Sequence, residues 1–107
     1  YANQAKEKLL GVRASTIRRH GAVSQETAIE MALGVKRAAR SSVGVGITGI
    51  AGPGGGTRLK PVGTVFISVY LGRHAYFKKF FFGGTRVKIK EAARTAALKL
   101  LKDCLRP

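Results

Sequence analysis

Acidic residues are scarce in this 107-residue chain: five Asp and Glu stand against 20 Lys and Arg. Asp103 is the only aspartate and falls near the end of the sequence, so a Ser-His-Asp triad lacks a convincing third member. Five scattered acids offer no carboxylate pair for glycoside-type chemistry either. The two histidines, His20 and His74, sit in turn contexts, and with a single cysteine they leave a metal site unsupported. Cys104 has no partner for an internal disulfide, which fits a reducing compartment such as the cytoplasm. The longest apolar run, residues 65–71, is interrupted by Ser68 and falls far short of a membrane span. No signal-peptide core opens the chain, and no initiator Met does, so a fragment or processed product is expected.

Hydrophobic residues make up 45% of the chain, as in ordinary folded proteins, and the length suits one domain with a modest core. The net charge of +15, with a pI near 11.1, sets up a field that attracts polyanions. Its sources are dispersed groups, such as Arg18-Arg19-His20 and Arg86-Lys88-Lys90-Arg94, with no basic tail. A nucleic-acid partner and a merely solvated basic surface both fit this pattern.

Residues 3–10 read as a short helix closed by Gly11, and residues 15–20 as a turn or small helix closed by Gly21. Ser24 is a good N-cap for a longer helix with a stripe of Ala28, Met31, Ala32, Val35 and Ala39. Residues 43–48 alternate valine and glycine, giving a narrow strand whose glycine face invites another element to approach. Residues 64–71 and 75–82, joined at Gly72-Arg73-His74, predict a hairpin. In its second strand Lys78 and Lys79 interrupt Tyr and Phe, a pattern that serves base stacking or a lysine-guarded sheet edge. Thr85 can cap a final helix to about residue 105, with Ile89, Ala92, Ala93, Ala96, Ala97, Leu100, Leu101 and Cys104 inward. This order predicts an α/β fold, helices packed on a mixed β-sheet, in one domain over residues 1–107. Three strands make a thin sheet, so further strands are expected from the parent domain or a partner chain.

The most informative stretch is Ile47-Thr48-Gly49-Ile50-Ala51-Gly52-Pro53-Gly54-Gly55-Gly56-Thr57, with Lys60-Pro61-Val62-Gly63-Thr64 after it. Glycine-rich turns bring backbone N–H groups close to an anion, although a long strand connection alone would also read this way. Neither a Walker loop nor a dinucleotide fingerprint matches the spacing. By elimination, a lysine-assisted nucleophile remains, the lysine made basic by burial or by neighbouring positive charge. Arg58 and Lys60 could meet a substrate phosphate or water.

Several segments, in order, resemble the C-terminal domain of the competence/damage-inducible CinA family, nicotinamide-nucleotide amidohydrolases. They are Tyr1-Ala2-Asn3-Gln4-Ala5-Lys6, Leu10-Gly11-Val12, Gly21-Ala22-Val23-Ser24, the glycine-rich stretch, and residues 82–86, similar to Phe-x-Gly-Asp-Arg. The resemblance implies hydrolysis of the carboxamide of nicotinamide mononucleotide, with no metal or organic cofactor. Lys6 would be the catalytic lysine, activating a serine, and Thr48 would help shape the centre. Tyr1, Asn3, Gly49, Ala51, Gly52, Gly54, Gly55, Gly56 and Lys60 would bind substrate. The chain departs from the pattern at Ala2, Gln4 and Thr85, where the family has Ser, Glu and Asp. The family's serine, in Glu-Ser-Cys-Thr-Gly-Gly, is not among residues 1–107. The chain alone is therefore expected to be an inactive, N-terminally truncated domain needing a companion segment or a homo-oligomeric partner. A non-catalytic basic module bound to RNA is the alternative.

Overall fold

The computed structural model describes residues 3–106 and, within the first helix, the side chains of Asn3, Lys6, Glu7 and Leu10. The elements run α1 (Asn3–Leu10), α2 (Ala14–His20), α3 (Gln25–Ala38), β1 (Val43–Gly49), β2 (Thr64–Leu71), β3 (His74–Phe81) and α4 (Arg86–Leu105). The segment before Gly21 is thus a full helix, begun at Arg13 without a side-chain cap. Ser24 and Thr85 cap as expected: their hydroxyls accept from the N–H groups of Thr27, at 3.1 Å, and Lys88, at 3.3 Å. Ala39 leaves the predicted stripe, because α3 has ended there and the residue is exposed.

The α/β architecture is as expected, but the sheet is not mixed. Its order is β1-β2-β3 and both pairings are antiparallel. Residues 50–63 return to β2 as a loop instead of a helical crossover, so neighbouring strands must oppose one another. The hairpin closes on Gly72 and Arg73, with Leu71 paired to His74 and Gly72 at φ 61°, the sign a type II′ turn requires at that position.

Strand alternation gives the sheet two different faces. Gly44, Gly46 and Thr48 turn toward α3. A Cβ on Gly46 would strike the carbonyl of Ala28 and come within 2.8 Å of Ala32 N, so the glycines set how closely β1 and α3 pack. The other face buries Val65 and Ile67 beneath Ile89, Ala93 and Ala97 of α4, with Val45 and Ile47 partly covered. Of the predicted α4 stripe, Ala92, Ala96, Leu100, Leu101 and Cys104 are only half-buried, since one helix cannot cover this face. A smaller cluster of Leu10, Val12 and Met31 fastens α1 onto α3.

Candidate functional site

The site is built at the C-terminal end of β1. Lys6 lies one helical turn before Leu10 on the same side of α1, so docking Leu10 against Met31 turns the lysine inward. Lys6 is only 6% exposed. Burial holds its amine below the ordinary lysine value of 10.5, and its Nζ makes no ion pair among the described residues. Thr48 is 5% exposed, and its Oγ1 donates to the carbonyl of Ala22 at 2.7 Å. With its proton committed, this hydroxyl offers its surroundings lone pairs; it is an acceptor and not a ready nucleophile.

Lys6, Thr48, Gly49 and Ala51 line one cavity of about 330 Å³, which Ile89, Arg86 and Lys90 line from the α4 side. The cavity straddles the edge of β1 that pairs with no other strand among the described residues. Ile50 N–H donates to Thr64 O at 2.9 Å, which fixes the phase of the ladder. The N–H groups of Val45, Ile47 and Gly49 consequently point off the sheet, and Gly49 does so beside the cavity.

Other predicted site residues are not all brought together. Gly52 is buried at φ 79°, and its carbonyl accepts from Arg86 Nη1 at 3.0 Å, tying the loop to the first turn of α4. Gly54, Gly55 and Gly56 form an exposed loop tip away from the cavity lining. Lys60 turns the opposite way: its Nζ donates to the carbonyls of His20, at 2.8 Å, and Val23, at 2.5 Å. Those carbonyls bracket Ala22, so Lys60 braces the turn on which Thr48 is anchored. Asn3 is exposed on α1, and Tyr1 lies outside the described residues. Arg86 and Lys90 were absent from the predicted set; their i, i+4 spacing in the basic run 86–94 was the available signal.

Alternative centres carry less. A hollow of about 630 Å³ beside α1 and α3 contains Arg13 and Glu30, whose charges already pair at 3.0 Å. Burial pushes the Cys104 thiol up, with Asp103 adding to the effect, which suits a packing residue and not a nucleophile. Lys78 and Lys79 point to opposite faces of β3 and lie over the rings of Phe80 and Phe66, 5.9 and 5.7 Å from the centroids. No group of three or more His, Cys, Asp or Glu that could hold a metal occurs among the described residues, and no helix there is long and apolar enough to cross a membrane.

A family model, the CinA C-terminal domain, matches residues 1–105. The chain is 48% identical over 107 residues to a "CinA-like protein" of Kosmotoga olearia, covering all of this chain and 26% of that protein. It is 48% identical over 102 residues to a "putative competence-damage inducible protein" of Alkaliphilus metalliredigens, covering 95% and 25% respectively. The chain thus spans about a quarter of these relatives' length. Among solved structures, the competence/damage inducible protein CihA of Agrobacterium tumefaciens superposes with a TM-score of 0.95 at 37% identity, over 99% of this chain and 66% of that one. A CinA superfamily protein of Escherichia coli gives 0.93 at 34% identity, over 98% and 61%.

Proposed function

Because this chain belongs to the CinA C-terminal domain family, we propose that it forms the base-bearing part of an amidase. The substrate is nicotinamide mononucleotide, and the products are nicotinate mononucleotide and ammonia. One observation carries this reading: the buried Lys6 amine and the Thr48 hydroxyl line the same cavity as Gly49 and Ala51.

The nucleophilic serine belongs to a segment outside residues 1–107. About a third of the Agrobacterium chain lies beyond the match, and the uncharged edge of β1 is where such a segment can approach. The serine hydroxyl attacks the carboxamide carbon while Lys6 Nζ, as free amine, takes its proton. The negative charge that develops on the carbonyl oxygen falls near off-sheet N–H groups such as that of Gly49. Lys6 then returns the proton to the departing nitrogen, and ammonia leaves an acyl-serine ester. Water attacks the ester with Lys6 again as base, giving the carboxylate and regenerating the serine. Thr48 accepts a hydrogen bond from the Lys6 ammonium or the substrate NH₂ and so orients the transfer.

Burial serves the chemistry here. A base needs its lysine as the amine, and desolvation of the Lys6 ammonium shifts it in that direction. The test is ammonia release from nicotinamide mononucleotide by the full encoded protein and by its Lys6→Met variant. Release that falls by about a thousandfold or more in the variant supports the reading. No release from the unmodified protein, or equal release from both, overturns it.

A further inference from the structure

The cavity is cationic along its α4 side as well as at Lys6, and among the described residues no carboxylate lines it. Its two α4 cations differ in what they already touch. Arg86 spends a guanidinium N–H on the carbonyl of Gly52 and holds the loop in place. Lys90, one turn further along, is exposed and has no ion-pair partner among the described residues. Lys60, beside the glycine-rich loop, is spent on two backbone carbonyls and does not reach this cavity. The buried amine thus marks the floor and Lys90 the mouth.

We infer that Lys90 is the specificity-determining residue of this cavity, its ammonium receiving the phosphate monoester of a nucleotide whose carboxamide-bearing pyridinium end lies at Lys6. The carboxamide end of this assignment rests on the amidase reading; the phosphate end rests on the placement of Lys90. The polarity follows from electrostatics. A phosphate beside Lys6 would favour its ammonium and remove the base, whereas a cationic pyridinium bearing a neutral carboxamide disfavours the ammonium. At the mouth, an exposed ammonium meets the phosphate without first being stripped of water by burial, and it acts as a point charge with three donors. The first turn of α4 adds dipole of the same sign.

The experiment titrates nicotinamide mononucleotide, nicotinamide riboside and inorganic phosphate into the full encoded protein at one fixed, moderate ionic strength. It compares Lys90→Gln and Lys90→Arg, with Lys102→Gln on the same helix as a control for net charge. The expected result is mononucleotide binding weakened about tenfold or more by Lys90→Gln, with riboside binding changed by less than about twofold. Lys90→Arg and Lys102→Gln should keep most of the mononucleotide affinity. Competition by inorganic phosphate should likewise need Lys90. In ammonia release, Lys90→Gln should raise KM while kcat stays within about threefold. Equal losses for mononucleotide and riboside, no loss for either, or no binding by the unmodified protein would overturn the inference. Lys90-dependent binding without ammonia release would sink the amidase reading alone; Lys6-dependent release indifferent to Lys90 would sink only this assignment.

Discussion

The sheet has two outer edges, and they are built differently. β3 carries Lys78 and Lys79 and shows Tyr76, Phe77 and Phe81 at 44%, 47% and 62% exposure, yet pairs with nothing on its outer side among the described residues. Lysine on an exposed edge discourages another strand from adding. β1 has no charge from Val43 to Gly49; α3 presses on one of its faces, and α4 leaves Val45 and Ile47 half-covered on the other. The guarded edge is a surface. The unguarded one borders a cavity lined by a buried amine, which is where we place the chemistry.

Substitutions at the two edges should therefore separate cleanly. The largest difference is expected in turnover: Lys6→Met should remove nearly all ammonia release, whereas Lys79→Gln should leave it within about twofold. The same Lys6→Met protein should be as stable as the parent or more so, because a buried ammonium costs free energy that a methionine does not. Next comes packing. Gly46→Val should destabilise by about 3 kcal/mol in urea unfolding, since the added atoms strike the α3 backbone, against about 0.5 kcal/mol or less for Phe77→Ser on β3. An equal cost at both would erase the distinction between the edges. A smaller effect is expected at Ser24, whose hydroxyl caps α3 and donates to Gly21 O at 3.0 Å; Ser24→Ala should cost about 1 kcal/mol. Because Ala22 anchors Thr48, that variant should also lower turnover.

Much of this arrangement was legible in the residues. Caps at Ser24 and Thr85, apolar stripes on α3 and α4, and the Gly72 turn fixed most elements, because each depends on neighbours a few residues away. The valine–glycine alternation announced close packing at β1 but could not say against what; α3 is the answer. Strand direction was not legible, since residues 50–63 could have crossed over or turned back, and only tertiary packing decides. Lys6 and Thr48 came from family resemblance, as nothing local marks Lys6 as buried. Lys60 misled because proximity in sequence to the glycine loop is not proximity to the cavity: its side chain reaches back to the carbonyls of His20 and Val23. Arg86 and Lys90 went unselected because a basic run on a helix usually faces water.

Lys6 also links pH to stability and rate with a definite sign. Its folded value lies below 10.5, so between the two values the unfolded chain binds more protons and stability rises with pH. Turnover should rise over the same approach, as the ammonium becomes the amine. The most direct test is the pH profile of ammonia release from nicotinamide mononucleotide by the full encoded protein. The expected profile has a rising limb with its midpoint below 10.5 that disappears, along with the activity, in Lys6→Met. A profile unchanged in shape and height by that substitution would contradict it.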